Sequence, residues 1–115
     1  MAAYIVFLRE RTHDPAQLDA YARKAPAANA GHALTPHAVY GHHEVLEGPD
    51  VEGVAIIAFP TLAEARAWYD SPAYQEILPL RTDNIEGDTL IVPGVAQQPY
   101  DARQTAAALR AMASA

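Results

Sequence analysis

A histidine placed beside a tyrosine and a carboxylate is a small acid–base set for neutral pH, and the stretch Pro36 to Gly48, PHAVYGHHEVLEG, offers one. Read as a long strand, it alternates so that Tyr40, His42 and Glu44 share one face, each about 7 Å from the next. His43 and Glu47 take the other face, so His42 and His43 cannot both serve one site. Such a set could move a proton on or off a carbonyl compound. The competing reading is a partly exposed strand with ordinary polar residues, because such trios are seldom catalytic.

A second group of candidates follows further along the chain. Arg66 and Arg81 fall at the edges of inner helical faces, where a guanidinium can hold a substrate carboxylate in bidentate fashion, or equally pair with one of the fourteen acidic residues. Trp68 and Tyr74, with Tyr69, suit either the core or the walls of a pocket for a flat organic ligand. Ser71 before Pro72 reads as a helix N-cap, with no nucleophile-elbow glycine pattern around it.

Much chemistry is excluded. The chain has no cysteine, which removes disulfides, thiolate catalysis and thiolate metal sites. No Gly-rich phosphate loop, zinc signature or dinucleotide fingerprint is present. A metal would need His37, His43 and Glu47 to converge, without support from a helical histidine pair. No cofactor is therefore expected, and what remains is imidazole, carboxylate, phenol and guanidinium chemistry: proton transfer, elimination, isomerisation, or oxygenation in which the substrate supplies the electrons. A formal charge of −6 argues against nucleic acid as a partner. The apolar run at the N-terminus is too short for a membrane span or a secretory signal, so the expectation is a soluble cytoplasmic protein with no membrane partner.

These residues need elements to hold them. Tyr4 to Leu8 reads as a strand that is buried early and becomes charged at Arg9, Glu10 and Arg11. Asp14, Pro15 and Gln17 give a helix start, and Leu18, Tyr21, Ala22 and Ala25 follow the spacing of an inner face. Pro26 should kink or end that helix, with Gly31 as terminator. Val54 to Phe59 is apolar at six consecutive positions, so both of its faces require cover. Thr61 with Glu64 has capping-box spacing, and the helix it opens is expected to turn Leu62, Ala65 and Tyr69 inward, with Arg66 and Trp68 at the two edges of that face. A second short helix begins at Ser71 and Pro72, Gly87 to Gly94 reads as a last strand, and Asp101 with Gln104 opens a terminal helix running through Leu109 and Met112.

The order is that of an α+β, ferredoxin-like βαββαβ sheet with two helices on one face, plus a C-terminal helix. Residues 1–95 form the domain and 96–115 a C-terminal extension. The helices cover only one side of the sheet. At about 25 cal/mol per Å², leaving roughly 600 Å² of apolar sheet in water forgoes on the order of 15 kcal/mol, before association costs. A homodimer joined sheet to sheet is the simplest cover.

Glu47 and Gly48, Phe59 and Pro60, the run Ala65 to Tyr69, Ser71 and Pro72 with Tyr74, and Leu80 with Arg81 together resemble the family called domain of unknown function 1330, over roughly Tyr4 to Gly94. The resemblance implies a ferredoxin-like domain that pairs as a dimeric α+β barrel. The wider superfamily holds small cofactor-free monooxygenases, muconolactone isomerase-like enzymes and haem-degrading proteins, which implies a small-molecule pocket between sheet and helices. The histidine-rich segment and the tail beyond Val95 depart from the family pattern.

Two functions follow. The first is a homodimeric, cofactor-independent enzyme (isomerase, lyase or monooxygenase type) acting on a small aromatic or enolisable carbonyl compound. In it His42 or His43 serves as acid or base, Tyr40 with Arg66 or Arg81 orients the organic ligand, and Trp68 and Tyr74 line the pocket. The second is a non-catalytic ligand-binding or structural dimer. A pocket that reaches His42 or His43 would favour the first.

Overall fold

The sheet is built around its first strand, β1 (Ala3–Thr12), which pairs antiparallel with β3 (Gly53–Phe59) on one side and β4 (Ile85–Pro93) on the other. A short β2 (Thr35–Val39) adds outside β3, giving the order β2-β3-β1-β4. In this computed structural model residues 2–95 and 101–113 are described; positions 96–100 of the expected C-terminal extension, and 114–115, lie outside them. The connection from β1 through a helix to β2, with β3 filling the gap between them, is the split βαβ unit expected of the ferredoxin-like fold.

Register explains why this sheet is two-faced. Ala3, Ile5 and Phe7 alternate with Tyr4, Val6 and Leu8 along β1, and pairing sets Ile5 opposite Ile57 and Ile91, but Val6 opposite Ile56 and Leu90. Ile5, Phe7, Ala55 and Phe59 join Trp68, Tyr74 and Ile77 in one buried cluster on the helical side. The other side stays partly or largely exposed, Leu90 at 52% and Val92 at 45%.

Helix α1 (Pro15–Asn29) begins as its composition dictates. Asp14 accepts from the backbone N–H of Ala16 and Gln17 at 3.1 and 3.3 Å, and Pro15 occupies the first turn, where no donor is needed. It runs straight through Pro26 rather than ending there. Pro26 forfeits one backbone bond, but alanines at 25, 27 and 28 favour helix on either side and Ala28 is buried in the core, so tertiary packing carries the helix past the proline. It stops at Asn29, followed by Gly31 in the left-handed region, φ 82°.

The second helical stretch is broken in two. Thr61 caps α2 (Leu62–Tyr69) by accepting from the Glu64 N–H at 3.1 Å, and Ser71 caps α3 (Pro72–Thr82) by accepting from the Tyr74 N–H at 3.3 Å while donating to the Trp68 carbonyl at 2.8 Å. The buried face of α2 is Ala65 and Trp68, not the Leu62, Ala65 and Tyr69 face expected. Leu62 is 43% exposed, and the helix is rotated so that the indole, the largest apolar surface available, goes inward.

The largest departure is β2. The expected strand from Pro36 to Gly48 pairs only as far as Val39, with one further backbone bond from the Tyr40 N–H to the Val54 carbonyl at 2.9 Å. Tyr40 takes φ 52°, which turns the chain out of the sheet, and residues 41–52 form no regular element. With neither face of this segment cleanly apolar, nothing holds it to the sheet edge. Near the C-terminus lies helix α4 (Ala102–Ala113), with the Arg103 N–H donating to Asp101 at 2.9 Å. Among the described residues it makes no substantial contact with any strand, and no helix is long and apolar enough to cross a membrane.

Candidate ligand cleft

Between α1 and the helical face of the sheet lies a cleft of about 280 Å³. Phe7, Ala55 and Ile57 form its floor, Tyr21 and Ala25 its helical wall, Trp68 and Tyr40 further sides. Its position follows from side-chain size: the small side chains of Ala22 and Ala25 on α1 and Ala55 on β3 leave room between the larger rings at the ends.

Behind the Tyr21 and Trp68 walls lies a set of polar groups, of which Tyr74, Arg81 and Thr89 do not line the cleft themselves. The hydroxyls of Tyr21 and Tyr74 are hydrogen-bonded at 2.7 Å, and their rings meet edge-on, 6.1 Å between centroids. The Trp68 Nε1–H donates to Asn29 Oδ1 at 2.9 Å, while its ring stacks obliquely on Tyr74 at 4.1 Å. Arg81, only 6% exposed, places its guanidinium 5.1 Å from the Phe7 ring centroid and 5.8 Å from that of Tyr21, and donates from Nη1 to Thr89 Oγ1 at 3.1 Å. Its Nε–H has no acceptor and the side chain no ion-pair partner among the described residues.

Burial keeps the phenols of Tyr21 and Tyr40 neutral. Burial, reinforced by the neighbouring Tyr74 hydroxyl, pushes the Tyr21 phenol well above its ordinary value, and Arg81 offsets only part of this. Burial likewise raises Tyr40 against the opposing pull of Arg9 and Arg81. For Arg81 burial opposes the charge, but the Tyr74 and Tyr21 oxygens more than compensate, so the guanidinium stays charged. The cleft is thus bordered by the neutral hydroxyls of Tyr21 and Tyr40 in the field of a buried cation.

Tyr40 closes one side. The Arg9 guanidinium stacks 4.4 Å from its ring centroid and is tethered outside by Glu52, Nε to Oε1 3.2 Å, although the angle is too poor for a hydrogen bond. Beneath the ring lies Gly53, where an added Cβ would come within 2.6 Å of Tyr40 Cδ1. That glycine is what permits the ring to lie there.

The remaining candidates fall elsewhere. His42 is exposed on the irregular segment, and His43 Nε2 is 2.8 Å from the Val51 carbonyl; neither lines the cleft. Arg66 is exposed, pairs with Asp70 at 3.3 Å, and borders a separate hollow of about 210 Å³ between α2 and β4. His37 rests edge-on against Tyr4 on the far side of the sheet, and no group of three His, Asp or Glu side chains suited to a metal ion occurs among the described residues. Tyr21, Thr89 and Asn29 were missed. Tyr21 was legible as part of an inner helical face, but nothing in the spacing announced that its hydroxyl would meet another.

Comparison with solved structures supports the fold. A protein of unknown function from Rhodopseudomonas palustris, RPA0582, superposes with a TM-score of 0.63 at 17% identity, over 84% of each chain. SnoaB, a cofactor-independent oxygenase from Streptomyces nogalater, gives 0.52 at 11% identity over 86% of this chain and 98% of that one. Protein Atu4242 from Agrobacterium tumefaciens gives 0.50 at 19% identity over 88% and 100%. Among curated proteins none matches in sequence. Residues 2–95 match the family described as Domain of unknown function (DUF1330), and the chain belongs to that family.

Proposed function

We propose that the protein is a homodimeric small-molecule enzyme that works without a cofactor, and that the cleft between α1 and the sheet binds a small aromatic or enolisable carbonyl compound. The observation that carries this reading is the Tyr21–Tyr74 hydroxyl pair beside an apolar cleft of about 280 Å³. That volume lies just below the range of about 300–1,000 Å³ typical of drug-sized ligands, so the ligand is a mono- or bicyclic molecule. Neutral phenols held as donors suit an oxygen that gains negative charge when the neighbouring carbon loses a proton, the arrangement of an oxyanion hole. The similarity to SnoaB, a cofactor-independent oxygenase, is consistent with chemistry in which an electron-rich substrate anion reacts unaided. In this reading Tyr40 closes the cleft, the carbon proton passes to solvent water, and the hydroxyl donor stabilises the oxygen anion left behind, while His42 and His43, which do not line the cleft, take no part.

Trp68 is the chain's single tryptophan and borders the cleft, so its fluorescence reports occupancy. Aromatic and 1,3-dicarbonyl compounds should perturb it, and Ala25→Phe, which fills the cleft, should abolish the response. Turnover of a bound compound without added metal or cofactor, lost in Tyr21→Phe and kept in His42→Ala and His43→Ala, is the result expected. Binding with no turnover of any bound compound would leave a ligand-binding dimer instead.

A further inference from the structure

Fourteen acidic side chains are available to this chain, yet none pairs with Arg81 among the described residues. That is unusual for its position. A buried guanidinium is normally retained with a carboxylate whose charge repays its desolvation; here it is 6% exposed, held by Thr89, and flanked by the faces of Phe7 and Tyr21. Its Nε–H is left without an acceptor. Arg9, the other guanidinium near the cleft, already has Glu52. Among the described residues no carboxylate offsets the positive charge behind the cleft; the groups that favour it are the Tyr74 and Tyr21 oxygens.

We infer that the cleft selects a mono-anion, and that the ligand is a small aromatic acid or the enolate of a carbonyl compound whose negative oxygen seats at the Tyr21 hydroxyl, backed by the buried Tyr74, in the field of Arg81. This rests on the cleft being the ligand site. Phe7 and Tyr21 are shared between cleft and guanidinium, so a ligand on them lies one ring's thickness from the charge. Side chains rather than water lie between the two, so the charge is screened less than it would be at the surface. No carboxylate borders the cleft to repel an anion. With Tyr74 donating to Tyr21, the Tyr21 O–H is left to donate to the ligand, more strongly to a negative oxygen than to a neutral one, and a neutral analogue would leave the cation without an anionic partner.

A matched pair of probes tests this: 2-naphthoate and 2-naphthamide, alike in shape and different in charge, titrated calorimetrically into the wild-type protein. The carboxylate should bind at least ten-fold more tightly. Arg81→Met should lower naphthoate affinity to that of naphthamide while leaving naphthamide unchanged, and Arg81→Lys should restore part of the preference. If Arg81→Met does not fold, the wild-type ratio still decides. Equal affinities, both abolished by Ala25→Phe, would keep the cleft and overturn its charge selection. Binding of neither probe, or binding that survives Ala25→Phe, would overturn the cleft as their site and this inference with it.

Discussion

The hydroxyl oxygens of Tyr21 and Tyr74 meet at 2.7 Å where α1 crosses α3, fifty-three residues apart in the chain. Each satisfies the other in a place where water is scarce, and each ring also packs into the core. Tyr21→Phe or Tyr74→Phe alone strands one hydroxyl and should cost about 1–3 kcal/mol of unfolding free energy. The double variant should cost less than the sum, since it strands neither. Denaturant unfolding of the four proteins checks this, and strict additivity would show that the pair is not coupled.

The same burial has an alkaline consequence. Tyr21 and Tyr40 have phenols raised above the ordinary value of about 10, so below that pH both folded and unfolded chains keep these protons and stability is flat. Above it the unfolded chain releases protons that the folded one retains, and stability falls, by up to about 1.4 kcal/mol per pH unit for one such phenol. Chemical denaturation between pH 9 and 11 should show this slope, and Tyr21→Phe should reduce it. A profile unchanged by the substitution would place the titration elsewhere.

How much of this was legible beforehand depends on what each feature needs. Helix starts at Asp14, Thr61 and Ser71 are local chemistry, a side-chain oxygen two or three residues before a free N–H, and they appear as expected. The strand order follows from alternation and connection length. The extent of β2 did not, because Tyr40 turns out of the sheet through a left-handed backbone over a glycine thirteen positions away, which no local pattern reports. The candidate site divides the same way. Tyr74 was visible as an inner-face residue and Trp68 and Arg81 at the edges of such faces, whereas the hydroxyl pair and the lack of a carboxylate beside Arg81 among the described residues are facts of tertiary contact.

On the acid side the group to watch is Glu52, which ties the irregular segment to β1. It accepts from the Thr12 hydroxyl at 2.6 Å and the Thr12 N–H at 2.9 Å, and these bonds, with Arg9 adding a smaller share, hold its carboxyl below the ordinary range. Its contribution is therefore complete above about pH 4.3 and lost as pH falls through the lower folded value. Glu52→Gln should lose stability at pH 7 and flatten the decline below pH 4. It should also loosen Arg9, and hence Tyr40, so ligand should dissociate faster. Unaltered acid unfolding would show that the Thr12 contact contributes nothing.

The proposed dimer makes the sharpest demand on the uncovered side of the sheet. Val6, Ile56 and Leu90 stand in one cross-strand row there, with Tyr4, Ala58 and Val92 in the next, and α4 does not shield them. Leu90 is already 52% exposed in the single chain, so Leu90→Asp costs the isolated fold little. Across a second copy, however, it would bury a carboxylate against apolar partners, with a penalty of about 3 kcal/mol or more, roughly a hundred-fold in dissociation constant. Sedimentation should therefore give twice the 12.4 kDa chain mass for the wild type at micromolar concentration and the single mass for Leu90→Asp, with unchanged circular dichroism. The cleft opens on the opposite face, so the monomeric variant should still bind ligand. A wild type that sediments as a monomer would leave that row of side chains without its cover and refute the assembly.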